Sequence, residues 1–145
     1  MKKALFAFWL VVFFCAPSAL AQNPNYQDGP VWRQFSYRIK PGQQAAFWQD
    51  FHDHAKPIFE LAKKDGTFVD YKLFVNAFKT KPDEWDVMLV MILPNYAMLD
   101  QLEARIVAIY HKHYGSPEAT AAAVKKRDEY REIIADRIVR EVILK

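Results

Sequence analysis

The chain has 145 residues, is 52% hydrophobic and 15% aromatic, and carries a formal charge of +3 with a single cysteine. That length suits one domain with a sizeable core, and one cysteine excludes an internal disulfide. Charges of both signs are interspersed, which argues against nucleic acid or an anionic membrane as a partner.

The first stretch, MKKALFAFWLVVFFCAPSALAQ, has the layout of a secretory signal. Lys2 and Lys3 precede an apolar run from Ala4 to about Ala16, and Ala19 and Ala21 set small residues before a cleavage point after Ala21. The run is shorter than the roughly 20 residues that span a bilayer. The expectation is a 1–21 signal, removed on export to the periplasm or beyond, with no stable membrane insertion afterwards. Cys15 and both lysines leave with it, so the remaining chain is cysteine-free and close to neutral. Residues 22–30, QNPNYQDGP, read as a flexible polar leader, and residues 31–145 as a single domain.

VWRQFSYRIK (31–40) alternates. Val31, Phe35, Tyr37 and Ile39 share one face with Arg33 among them, and Trp32, Gln34, Ser36 and Arg38 share the other. This predicts a strand ended by Pro41-Gly42. From Gln43 to Lys64 the spacing becomes helical. At about 100° per residue Phe47, Phe51, His54, Ile58 and Leu61 fall within roughly a quarter of the circumference. Pro57 sits inside this run and frees the carbonyl of Asp53, which predicts a kink or a break.

TFVDYKLFVNAF (67–78) alternates again, with Val69, Tyr71, Leu73 and Val75 on one face and Phe68, Asp70, Lys72 and Phe74 on the other. WDVMLVMIL (85–93) is apolar almost throughout, as in a strand covered on both faces. Asn95 can cap a helix running to about Tyr114, with Leu99, Leu102, Ile106, Ile109, Tyr110 and His113 on one side. Ser116-Pro117-Glu118 restarts a helix. That charged helix is expected to reach about Asp136, its KKRDEYRE run (125–132) forming a solvated face. RIVREVILK (137–145) is the last strand.

The order β-α-β-β-α-(α)-β predicts an α+β, ferredoxin-like domain: a four-stranded antiparallel sheet with helices on one face. The other face, with Trp32, Phe68, Phe74 and one side of 85–93, is too apolar for water, so burial against a second copy is expected.

Three stretches carry a resemblance: Y-x-I-K-P-G-x-x-x-x-F (37–47), DGTFVDYKLF (65–74) and PNYAMLDQL (94–102). Together they resemble the dimeric α+β barrel superfamily, which includes antibiotic-biosynthesis monooxygenases. The resemblance implies a homodimeric barrel with a pocket between each sheet and its helices. It leaves open a cofactor-free oxygenase acting on a small apolar or aromatic compound, a haem-handling protein, and a non-catalytic envelope dimer.

All four histidines lie in His-x-His pairs, His52/His54 and His111/His113. On a helix, residues two apart point to different sides, so neither pair chelates one ion; no metal site is expected. His54 and His113 fall on the apolar faces of helices on the same side of the sheet. They are expected to look into one cleft, as a proton-handling catalytic pair or as core residues satisfied by a carbonyl or a phenol. Arg33, on the strand face toward the helices, needs a carboxylate or a ligand anion. Tyr37 and Tyr71 can donate to an oxyanion in that cleft, and Trp48 and Trp85 can stack a flat ligand. Arg33, Tyr37, Tyr71, Trp48 and Trp85 are therefore the candidate ligand-binding set. No glycine-rich phosphate loop, serine elbow or paired-carboxylate motif is present.

Overall fold

A computed structural model describes residues 25–145, so the expected signal segment, its expected cleavage point and Cys15 lie outside the described residues. The elements are β1 (Tyr26–Ile39), α1 (Gln44–Asp50), a π-helical turn (Phe51–Ala55), α2 (Lys56–Lys64), β2 (Asp70–Val75), β3 (Val87–Leu93), α3 (Ala97–Tyr114), α4 (Pro117–Arg127) and β4 (Arg131–Leu144). The strands pair antiparallel in the order β2-β3-β1-β4. This is the ferredoxin-like α+β arrangement the element order predicts. Among the described residues no helix is long and apolar enough to cross a membrane.

One face of the sheet meets the helices. Val31, Tyr37, Val87, Leu89, Met91 and Leu93 are buried there against Phe47, Phe51, Ala55, Ile58, Phe59, Ala62, Leu102 and Ile109. Strand alternation supplies one side of this core, and the helical stripes supply the other.

The break at Pro57 takes a definite form. Proline offers no N–H to the carbonyl four residues back, and just before it the Lys56 N–H bonds instead to the carbonyl of Phe51, five residues back. That wider ladder is a π turn. It carries Ala55 and Phe59 to the inner face and leaves His54 on its flank, half-buried, where a uniform helix would centre His54.

Four boundaries differ from expectation. Residues 26–30 are not a loose leader but the start of β1, paired with the end of β4 from Tyr26–Leu144 onward. Phe68 precedes β2 and turns into the core, 6.0 Å from the Phe59 ring, rather than lying on the outer face with Phe74. The charged helix stops at Arg127, not Asp136, and β4 begins at Arg131, six residues early. Asp70 pairs with Lys63 at 2.8 Å and Arg38 with Glu132 at 3.3 Å. The caps fall where the sequence puts them. Ser116 Oγ accepts from the Ala119 N–H at 3.1 Å, Asn95 Oδ1 accepts from the Met98 N–H at 3.1 Å, and Gly115 ends α3 at φ 90°, in the left-handed region that suits glycine.

The outer face has an apolar row. Trp32 stands between Ile92 on one neighbour and Val139 on the other, with Phe74 exposed nearby on β2. β3 covers β1 only over residues 31–37, so the start of β1 and the end of β4 run past the sheet as a two-stranded ribbon. Ile133, Ile138, Val142, Ile143 and Leu144 on β4 are all exposed.

Candidate functional site

Three cavities flank the helices: one of about 500 Å³ between α2 and α3 holds none of the candidate residues, and the other two hold some of them. The sheet-side cavity, about 380 Å³, lies between β1, β3 and α3. Phe35, Tyr37, Leu89, Met91, Ile106 and Val107 form an apolar wall, while Arg33, Glu103, Tyr110 and Arg131 bring polar groups. Arg33 does not stand free in it. Its Nε and Nη2 bond both oxygens of Asp136, at 3.1 and 2.7 Å, and its guanidinium lies 4.8 Å from the centre of the Phe35 ring. Arg131, from the first residue of β4, sits 4.4 Å from the centre of the Tyr37 ring and has no carboxylate partner among the described residues. Burial pushes the Tyr37 phenol up, and the positive charge of Arg131 partly opposes that.

His54 and His113 come together. His54 Nδ1 and His113 Nε2 are 3.0 Å apart and the rings meet edge to face. One nitrogen donates and the other accepts, according to tautomer. Tyr114 covers both rings, 5.2 Å from His54 and 4.8 Å from His113. Burial, then the charges of His54 and Arg127, hold the His113 pKa below its ordinary value, so this ring resists a second proton. The pair does not open on the sheet, however. His54 lines a second cavity of about 400 Å³ on the helix side, with Gln49, Asp50, Asp53, Lys126 and Tyr130. The π turn is the physical reason: it sets His54 beside α3 and α4 instead of over β1. His52 is exposed and bonds the adjacent Asp53 at 2.9 Å.

Between the two cavities lies a cluster that the sequence did not reveal. Arg127, only 3% exposed, donates from Nε to Asp50 at 3.0 Å, from Nη1 to the Tyr110 hydroxyl at 3.1 Å and from Nη2 to the Tyr114 hydroxyl at 2.8 Å. The Tyr130 hydroxyl is buried without a hydrogen bond, and burial and the nearby Asp50 carboxylate push its pKa up. Arg127 and Tyr130 belong to the KKRDEYRE run expected to face solvent. A mixed charge run hides one inward arginine well. The available signal was the pair Tyr110 and Tyr114, one turn apart on α3.

The remaining candidates lie elsewhere. The Tyr71 hydroxyl donates to Glu60 at 2.8 Å, and burial with that carboxylate raises its pKa to about 12. Trp48 is 40% exposed and packs edge-on against Phe47 and Phe51. Trp85 is half-buried just before β3. None of the three lines either cavity. Haem needs an apolar slot and an axial ligand on one site. The sheet-side cavity has no histidine, and the cavity with His54 is lined largely by charged and amide side chains, so neither joins an apolar slot to an axial histidine. Among the described residues no three histidine, cysteine or carboxylate groups converge as metal ligands.

No family model matches the chain, and no curated protein does. Among solved structures, HapK from Hahella chejuensis is similar at 11% identity and a TM-score of 0.50, over 77% of this chain and 91% of that one. The fold is ferredoxin-like. A dimeric protein of unknown function and ferredoxin-like fold from Bacteroides fragilis aligns at 14% identity over 81% of this chain and 99% of its own, with a TM-score of 0.43. A nipsnap family protein of unknown function from Agrobacterium tumefaciens aligns at 13% over 86% and 92%, with a TM-score of 0.46. At such identities the likeness concerns the fold alone.

Proposed function

We propose that the chain is an exported, homodimeric protein that binds a small apolar or aromatic compound in the sheet-side cavity. The observation that carries this reading is the cavity itself: about 380 Å³, above the roughly 300 Å³ at which small-molecule sites begin. Its walls are aliphatic and aromatic, and the few polar groups gather at its ends. The dimer is supported by Phe74 and Val139 on the outer face, with the half-buried Trp32, and by the exposed β4 edge, which a single copy leaves in water.

The test is native mass spectrometry of protein purified from its own envelope, which reports subunit count and any bound compound together. Ile106→Trp should fill the cavity and abolish the bound mass while the circular dichroism spectrum stays unchanged. A compound retained at full occupancy in that variant would place it elsewhere. Oxygenase-type turnover is the finer part of the proposal, supported by the resemblance of residues 37–47, 65–74 and 94–102. Oxygen uptake on adding the identified compound checks it, and none would leave a binding protein.

A proton-handling role for His54 and His113 belongs to the helix-side cavity, on whose wall His54 stands. The 3.0 Å contact between the rings supports it. His54→Asn and His113→Asn should then slow turnover without weakening ligand binding at the sheet-side cavity; equal loss of both would refute the division of labour.

A further inference from the structure

Counting hydrogens locates two unclaimed donors at one end of the sheet-side cavity. Arg127 donates to the hydroxyls of Tyr110 and Tyr114. A guanidinium has no lone pair to accept with, so each phenol keeps its own proton, and no hydrogen bond among the described residues takes it. Tyr114 is covered by the two histidine rings, whereas Tyr110 lines the cavity. Facing it from β1 is Tyr37, buried on the same wall with Arg131 against its ring. Tyr37 is close enough to feel the charge of Tyr110, Arg131 and Arg127. The cavity is thus polarised. At its other end Arg33 is neutralised by Asp136, with the Glu103 carboxylate near enough to act on Arg33. At the Tyr37–Tyr110 end Arg131 lies against Tyr37 with no carboxylate partner among the described residues, and both phenols have protons to give.

We propose that the hydroxyls of Tyr37 and Tyr110 are the paired donors for an oxyanion, carboxylate or phenolate, on a flat apolar ligand. Arg127, held by Asp50, is the positioning residue that fixes the Tyr110 hydroxyl, and Arg33 is not the anion anchor. A phenol that accepts from a guanidinium is a better donor in turn, so Arg127 strengthens the site without touching the ligand. The proposal rests on the ligand-binding reading of this cavity.

Calorimetric titration of the intact dimer with 2-naphthoate and with its neutral counterpart 2-naphthalenemethanol tests it. Tyr37→Phe and Tyr110→Phe should each weaken 2-naphthoate about tenfold or more, the worth of one hydrogen bond to a charged group, and change 2-naphthalenemethanol by less than about threefold. Arg127→Lys keeps the charge but loses the fork. It should reduce only the preference for the anion, with no further loss in Tyr110→Phe/Arg127→Lys. Arg33→Gln should leave that preference intact. Parallel weakening of both compounds would make the tyrosines and Arg127 mere packing and overturn the assignment. So would naphthoate binding that survives both phenylalanine variants, or that is lost in Arg33→Gln. If neither compound binds the unmodified protein, the cavity reading fails, and the donor pair with it.

Discussion

Replacing Arg127 by methionine should be among the most damaging single changes in the domain. The guanidinium is 3% exposed and the Asp50 side chain 18% exposed, so the ion pair is largely out of water. Methionine keeps the apolar stem but strands the carboxylate and removes the donor shared by Tyr110 and Tyr114. Breaking a buried pair from one side costs about 3–5 kcal/mol. For a domain of this size that corresponds to a fall of about 10–20 °C in Tm. The assay is urea denaturation followed by far-ultraviolet circular dichroism, at one protein concentration because the proposed dimer would link stability to concentration. Asp50→Asn/Arg127→Met removes the orphaned charge and should recover at least about 1 kcal/mol relative to Arg127→Met. A loss below about 1 kcal/mol in the single variant would mean that the cluster is open to solvent. The reasoning would also fail if the double variant were less stable than the single one.

Three further outcomes are expected. The pKa of His113 is lowered by burial, then by His54 and Arg127, with Asp50 opposing. The unfolded chain therefore binds a proton that the folded one resists, so stability is full above the ordinary value of 6.5 and falls as the pH drops below it. His113→Gln should flatten the urea midpoint between about pH 7 and 5.5; an unchanged slope would assign the titration to another group. Trp32→Glu on the outer face should give a monomer by light scattering with an unchanged circular dichroism spectrum, and a dimer that survives it would put the interface elsewhere. Ser116→Ala removes the hydroxyl that caps α4 and should cost about 1 kcal/mol, whereas Ser116→Asp should cost much less in the same melt.

Periodicity carried the strands and helices because each has one wet and one dry side. Val31, Tyr37, Val87 and Leu89 are buried as alternation requires, and Leu102 and Ile109 as helical spacing requires. It failed where one residue breaks phase. Phe68 and Val69 stand just outside β2, so Phe68 turns in and Val69 out, against the pattern of the strand. The partner of Arg33 was invisible because Asp136 fell within an expected helix, and only β4 running antiparallel to β1 sets the two side by side. The meeting of His54 and His113 was legible from their faces. Their separation from the sheet was not, since a π turn leaves no compositional mark beyond Pro57.

The segment Phe51–Ala55 makes the winding of one turn, more than residue identity, the quantity under constraint at this spot. It holds one residue more than a regular turn needs, so winding it regularly at unchanged length would turn α1 by about 100° relative to α2. Phe47 would leave the core, Asp50 would swing away from Arg127, and His54 would lose its neighbour on α3. A one-codon deletion in the stretch would instead remove the extra residue and keep α1 and α2 in phase.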